Sequence, residues 1–366
     1  VIVLEKALEN APWAVNVGII AVPTLIYGAM LIKQKFPVSE RVSSGVSYRE
    51  MLGEFGAFGA LVAGTLVGLQ ISIFCREAGI APDLTHKSSW IIGIVVGVVS
   101  ALAMGIYTKS LGRGLMAVLV IIMMPLAITE IGTDGWITAA MASFAQQNGF
   151  PPVAVLIYTS LIMLVLRFFA GPIVHALTPL GLLIVSAVLA IIGLVWLSTA
   201  QAAVLIVAAT LYGLGKTFFW PTMLGIVSEQ TPKGGALTLN AISGIGMLAC
   251  GAIGFPLLGL FQINTQKAEL AESPLLASSI PAIVEKVDGK PALKTVVAAE
   301  GLFGTYSNVD TAAIDAEIAK VEDESKKAEL VAEVKRIADE SPKHSLAKIA
   351  IFPSFMLLAY LGLFLY

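Results

Sequence analysis

Nine stretches of this chain are apolar over enough residues to cross a bilayer, and that repetition restricts the fold more than any other feature. They run roughly over 12–32, 52–75, 89–108, 115–144, 152–169, 178–199, 202–228, 236–262 and 347–366. A hydrocarbon layer about 30 Å thick needs about 20 helical residues, since the backbone must satisfy its own hydrogen bonds where water is absent. Hydrophobic residues make up 57% of the chain and charged ones 13%, which excludes an ordinary soluble domain. The expected fold is an all-α polytopic membrane protein. The net charge of −2 gives no nucleic-acid signature. The 2 cysteines and 3 histidines are too scattered for a disulfide framework or a metal cluster.

Within the 202–228 segment, the run Leu211-Tyr212-Gly213-Leu214-Gly215-Lys216-Thr217-Phe218-Phe219-Trp220-Pro221 holds a charge where none is cheap. Lys216 is near the middle of the segment, roughly 20 Å from water on each side at about 1.5 Å per residue. A lysine stem cannot snorkel that far. An ammonium at such depth costs about 3 kcal/mol or more, so it should meet a counter-charge or a wet cavity. Gly213 and Gly215 allow close backbone approach, and Pro221 loosens the helix one turn later. Two readings follow: a lysine that staples helices together, or a binding or coupling site.

The 115–144 segment contains Thr129-Glu130-Ile131-Gly132-Thr133-Asp134-Gly135-Trp136. Glu130 and Asp134 stand four apart, hence on one helix face, and Gly132 and Gly135 invite a break. A broken helix with acids at mid-membrane depth is a common transporter site. Opposite signs at similar depth suggest that Glu130 pairs with Lys216. Trp136, Trp220 and Phe219 offer flat faces for stacking, although tryptophans near segment ends also serve as interfacial anchors. Asn240 and Gln70 are further polar groups at depth, available to solute or to helix–helix hydrogen bonds.

Charge bias in the short loops sets the orientation. Lys33, Lys35, Arg41, Arg49, Lys109, Arg113, Arg167 and Lys233 fall on one side, against Arg76 and Lys87 on the other. The loops 33–51, 109–114, 168–177 and 229–235 are therefore expected in the cytoplasm. Residues 263–346 are polar and fall on the opposite side. There Ile314, Ile318, Val321, Leu330, Val334 and Ile337 recur at helical spacing among charges, which predicts one or two amphipathic, solvated helices.

Several of these runs resemble the major facilitator superfamily. The stretch from Arg167 through Gly171, Pro172 and His175 to Pro179 is similar to the short cytoplasmic gating loop between the second and third helices of a half. His175 stands where that loop normally has an acid, and the arginines after it are missing. The run Tyr212–Gly225 and the later Gly244-Ile-Gly-Met-Leu look like tenth and eleventh helices. Glu130-Ile-Gly-Thr with Trp136 resembles the seventh helix of the fucose, galactose and hexose proton symporters, whose polar residues there line a sugar cavity. The resemblance implies a plan in which 1–33 holds the last helix of an N-terminal bundle and 34–51 is a cytoplasmic linker. Residues 52–114 are then an extra two-helix insertion, and 115–262 form the C-terminal bundle. A polar extracytoplasmic insert, 263–346, precedes the last transmembrane helix at 347–366. On this plan five earlier helices precede the chain.

The expected function is alternating-access transport of a small polar solute, sugar- or nucleoside-like, across a bacterial inner membrane by a monomer, with proton coupling open. Glu130, Asp134, Lys216, Trp136, Trp220 and Asn240 are the candidate solute or coupling residues; Arg167, Gly171 and His175 are the candidate gating loop. One alternative is an exporter of amphipathic compounds on the same fold. Another is a scaffold or receptor acting through 263–346. No cofactor or nucleic-acid partner is expected, and no metal set, nucleophile–base pair or phosphate loop argues for an enzyme.

Overall fold

Helices form over the apolar runs because only an internal hydrogen-bond ladder satisfies so apolar a backbone. The structure is a computed structural model that describes residues 15, 18, 19, 21–35, 43, 45–142, 145, 149, 151 and 153–365. It divides into two units, Val1–Ser47 and Tyr48–Tyr366. In the first, helix α1 (Ala21–Leu31) is apolar and buries none of its residues. The rest of the expected 12–32 segment lies largely outside the described residues.

The second unit opens with α2 (Tyr48–Glu77) and α3 (His86–Thr108), packed along their length as a pair. Glycines make the contact. A Cβ on Gly68 would come 2.8 Å from Gly93 Cα, and one on Gly64 would come 3.0 Å from Gly97 Cα. Gly56 interrupts α2 with φ 63° and ψ −168°, in a region closed to L side chains. Loop 110–113 docks there: Ala57 N–H donates to Ser110 O at 3.1 Å, and Arg113 N–H to Glu54 O at 3.1 Å.

Next come α4 (Gly114–Ala127), a π-helical turn (Ile128–Gly132) and α5 (Thr133–Ala140), then α6 (Ala154–Phe168) and α7 (Ala170–Leu177). After these follow α8 (Pro179–Thr199), α9 (Ala202–Lys216), α10 (Phe219–Gln230) and α11 (Gly235–Ala249). A second π turn (Cys250–Gly254) leads into α12 (Phe255–Glu272). Leu119, Met123 and Leu126 of α4, Leu183, Ala187 and Leu194 of α8, and Ile242 and Ile245 of α11 form the main core. Met356 and Tyr360 of the last helix, α17 (Ile351–Leu365), join it.

By length and composition, 7 helical stretches of the described residues can cross a membrane: Tyr48–Glu77, His86–Thr108, Gly114–Ala140, Pro179–Thr199, Val204–Gln230, Gly235–Glu272 and Glu324–Leu365. They mark a multi-pass membrane protein. The fifth expected segment differs. There α6 and α7 meet at a 75° bend, so the expected loop 168–177 is mostly a short helix.

Residues 263–346 correct the all-α expectation. After α13 (Pro274–Ser279), strands β1 (Val284–Val287) and β2 (Lys290–Leu293) pair as an antiparallel hairpin, as do β3 (Val296–Gly301) and β4 (Gly304–Val309). The first turn is Asp288-Gly289, both at positive φ (52° and 78°), the backbone that a two-residue hairpin requires. Helices α14 (Thr311–Ala319) and α15 (Glu324–His344) follow and reach α17 through α16 (Leu346–Ile349). The expected apolar stripe is present: Ile314, Ile318, Leu330 and Ile337 are buried, with Val321 and Val334 against them. The stripe does not stand free in solvent, however. It closes with Leu270, Leu276, Ile283 and Leu293 into a separate core.

Candidate functional site

The site begins at a helix break. Pro221 has no N–H and cannot bond the Thr217 carbonyl four residues back, so the span over Val204–Gln230 parts between Lys216 and Phe219. Two backbone groups are thereby released near mid-span. Thr217 O accepts from Arg167 Nε at 3.1 Å, and Trp220 N–H donates to Glu130 Oε2 at 3.1 Å. A cation thus meets the carbonyl end of α9 and an anion meets the N–H end of α10, each at the terminus its sign prefers.

Four charges converge around this break. Lys216 Nζ donates to Asp134 Oδ1, and Arg167 Nη2 donates to Glu130 Oε1 at 3.1 Å. The expected Glu130–Lys216 pair is therefore corrected: Asp134 takes the lysine, and Glu130 takes an arginine from a third helix. The physical cause is lateral. Glu130 stands on the π turn and Asp134 one turn later on α5, and the π turn brings Glu130 to Arg167 in the last turn of α6. Lys216, fixed by α9, meets the next turn at Asp134.

Close backbone packing aims the lysine. A Cβ on Gly215 would lie 2.5 Å from Ala190 N, and one on Gly193 would lie 2.5 Å from Tyr212 N, so α8 and α9 lie against each other there. Tyr212, one turn before Lys216, holds its ring centroid 5.3 Å from Nζ, a cation–π distance. Its hydroxyl donates to Thr129 O at 2.7 Å, tying α9 to the π turn. The two pairs are each half sealed. The Lys216 and Glu130 side chains are 0% and 7% exposed, whereas those of Asp134 and Arg167 are 26% and 43% exposed.

The exposed halves face a hollow of about 450 Å³ lined by Asp134, Ser160, Met163, Leu164, Arg167 and Phe168. A second hollow, of about 310 Å³, is lined by Arg167, Val174, Phe218, Pro221, Thr222 and Glu229 among others. Arg167 belongs to both.

Of the other expected residues, Trp220 contributes its backbone N–H, with its ring against the core. Trp136 is partly buried, and its indole Nε1 is enclosed with no hydrogen-bond partner among the described residues. Asn240 is exposed on α11 and takes no part in the cluster's hydrogen bonds among the described residues. Gly171 and His175 are exposed on α7, while Arg167 has left the expected loop for the site. That also removes one charge from the loop bias. Sequence reasoning missed Tyr212, Ser160, Met163 and Leu164 as neighbours of the charges. The signal was present: 160, 163, 164, 167 and 168 fall at i, i+3, i+4, i+7 and i+8, one stripe of a helix.

Comparison with family models, curated proteins and solved structures finds no match for this chain.

Proposed function

We propose that the chain works in a secondary transporter that moves a small polar solute across a membrane by alternating access. One observation carries the reading: Arg167 lines two hollows, and its guanidinium is bonded to Glu130. In this proposal a pair that opens joins the hollows, and one that reforms separates them. Charges at depth in apolar helices and a discontinuous span whose ends face those charges support it, since transporters build sites in this way.

On this reading the fold is of the major-facilitator type, with α2 and α3 as an extra pair, and the bacterial inner membrane is the setting. Glu130, whose carboxylate is shared between a guanidinium and a helix end, is the candidate group for proton coupling. The sugar-like solute rests on the likeness of Glu130-Ile-Gly-Thr alone. The test is counterflow in proteoliposomes loaded with a panel of sugars, nucleosides and amino acids. Accumulation of one member, lost in Arg167→Ala protein that still inserts, supports transport. Absence of flux for every member, with folded protein in the bilayer, overturns it.

The self-contained core of 263–346 favours one other reading, a receptor or scaffold acting through that cap. Removing 284–309 would then abolish function outright, whereas a transporter keeps part of its flux.

A further inference from the structure

The charged ends that face the larger hollow are incompletely used. Arg167 gives Nε to Thr217 O and Nη2 to Glu130, and its Nη1 has no hydrogen-bond partner among the described residues. Asp134 gives Oδ1 to Lys216, and its Oδ2 is likewise without one among the described residues. Two of the residues that line the hollow thus carry one open cationic donor and one open anionic acceptor, and the rest of its lining is Ser160, Met163, Leu164 and Phe168.

The four charges of the cluster sum to zero. A solute of net charge would leave that charge uncompensated in a site walled by apolar helices, at a steep desolvation cost. A neutral polyol would leave both open ends with weaker, uncharged partners. A molecule with one ammonium and one carboxylate matches both ends and keeps the sum at zero. The apolar wall suits an aliphatic or aromatic side group on that molecule.

From this geometry we infer that the Asp134–Arg167 hollow binds a zwitterion on an apolar frame, an α-amino acid with a hydrophobic side chain, with its ammonium on Asp134 and its carboxylate on Arg167. The inference rests on the transport reading for its purpose but is tested by binding alone.

The experiment measures tritiated leucine binding to the full chain in lipid nanodiscs. Unlabelled leucine, leucinamide, 4-methylpentanoate and glucose serve as competitors. Leucinamide lacks the carboxylate and 4-methylpentanoate lacks the ammonium. Each should compete about tenfold or more weakly than leucine, the usual loss when a charge-assisted bond is left unmade. Glucose should not compete. Because Asp134→Asn or Arg167→Gln can disturb folding, Leu164→Trp provides a second check. It fills the hollow from an exposed position and should abolish leucine binding with the fold retained.

Equal competition by leucine and leucinamide, competition by glucose, no leucine binding at all, or undiminished leucine binding in Leu164→Trp would each overturn the assignment. The two readings separate in a parallel counterflow assay. Selective leucine binding without leucine flux keeps this inference and removes transport; glucose flux with no leucine binding does the reverse.

Discussion

Lys216 is a charged residue kept out of water: its side chain is wholly enclosed, with Asp134 at its tip and the Tyr212 ring beside it. Removing one member of such a pair leaves the other's charge uncompensated, which costs more than removing both. Lys216→Met should therefore lower stability by about 3 kcal/mol, and adding Asp134→Asn should recover most of the loss. Thermal unfolding in detergent across the double-mutant cycle reads this coupling. Lys216→Ala should also abolish uptake in vesicles while membrane insertion is retained. Arg167→Lys is a sharper test of geometry. The guanidinium serves Thr217 O and Glu130 at once through a planar fork, which a single ammonium cannot reproduce. Transport should fall at least as far as in Lys216→Ala, although the charge is conserved.

At the scale of elements, the break between α9 and α10 is the working part, and Pro221 keeps it open. Pro221→Ala restores an N–H that can reach Thr217 O and compete with Arg167. Alanine is the better helix former and Pro221 stands in the first turn of α10, so the variant should be as stable as the parent or more so, and slower in transport. A variant that is both destabilised and slow would contradict this account. A second element is a latch. The β3–β4 turn buries Leu302 against Leu69 and Ala252, and Trp90 Nε1–H donates to Leu302 O at 2.9 Å. Beside it His86 Nδ1 and Glu300 Oε1 share a hydrogen bond of 2.6 Å. That bond holds the Glu300 carboxyl below its ordinary value of 4.5. A carboxyl depressed in the folded state adds stability above its unfolded value, and the addition is lost as pH falls through the folded one. Protection of the 296–309 amides, taken relative to their intrinsic exchange rates, should therefore fall below about pH 4.5 in the parent, and Glu300→Gln should remove that step. Trp90→Phe should loosen the same segment at every pH by about 1 kcal/mol, the worth of one lost hydrogen bond.

Over the whole molecule, the long apolar runs of the chain determined the membrane-type helices, because a helix satisfies the backbone of such a run within the run itself. They also placed Lys216 at depth, made a counter-charge necessary, and put Glu130 and Asp134 on one face by their spacing of four. The hairpins went unread: the Asp288-Gly289 turn joins strands too short, at 4 residues each, to stand out beside the amphipathic helices that follow. Tertiary structure alone decided which acid meets which base. Spacing along one helix says nothing of how far a neighbouring helix is rotated or offset, and a shift of one turn exchanges Glu130 for Asp134. It also decided that Arg167, read as a loop charge, turns back into the site. A side chain at the last turn of a helix can point along the surface or inward, and the bend between α6 and α7, set by packing, makes that choice.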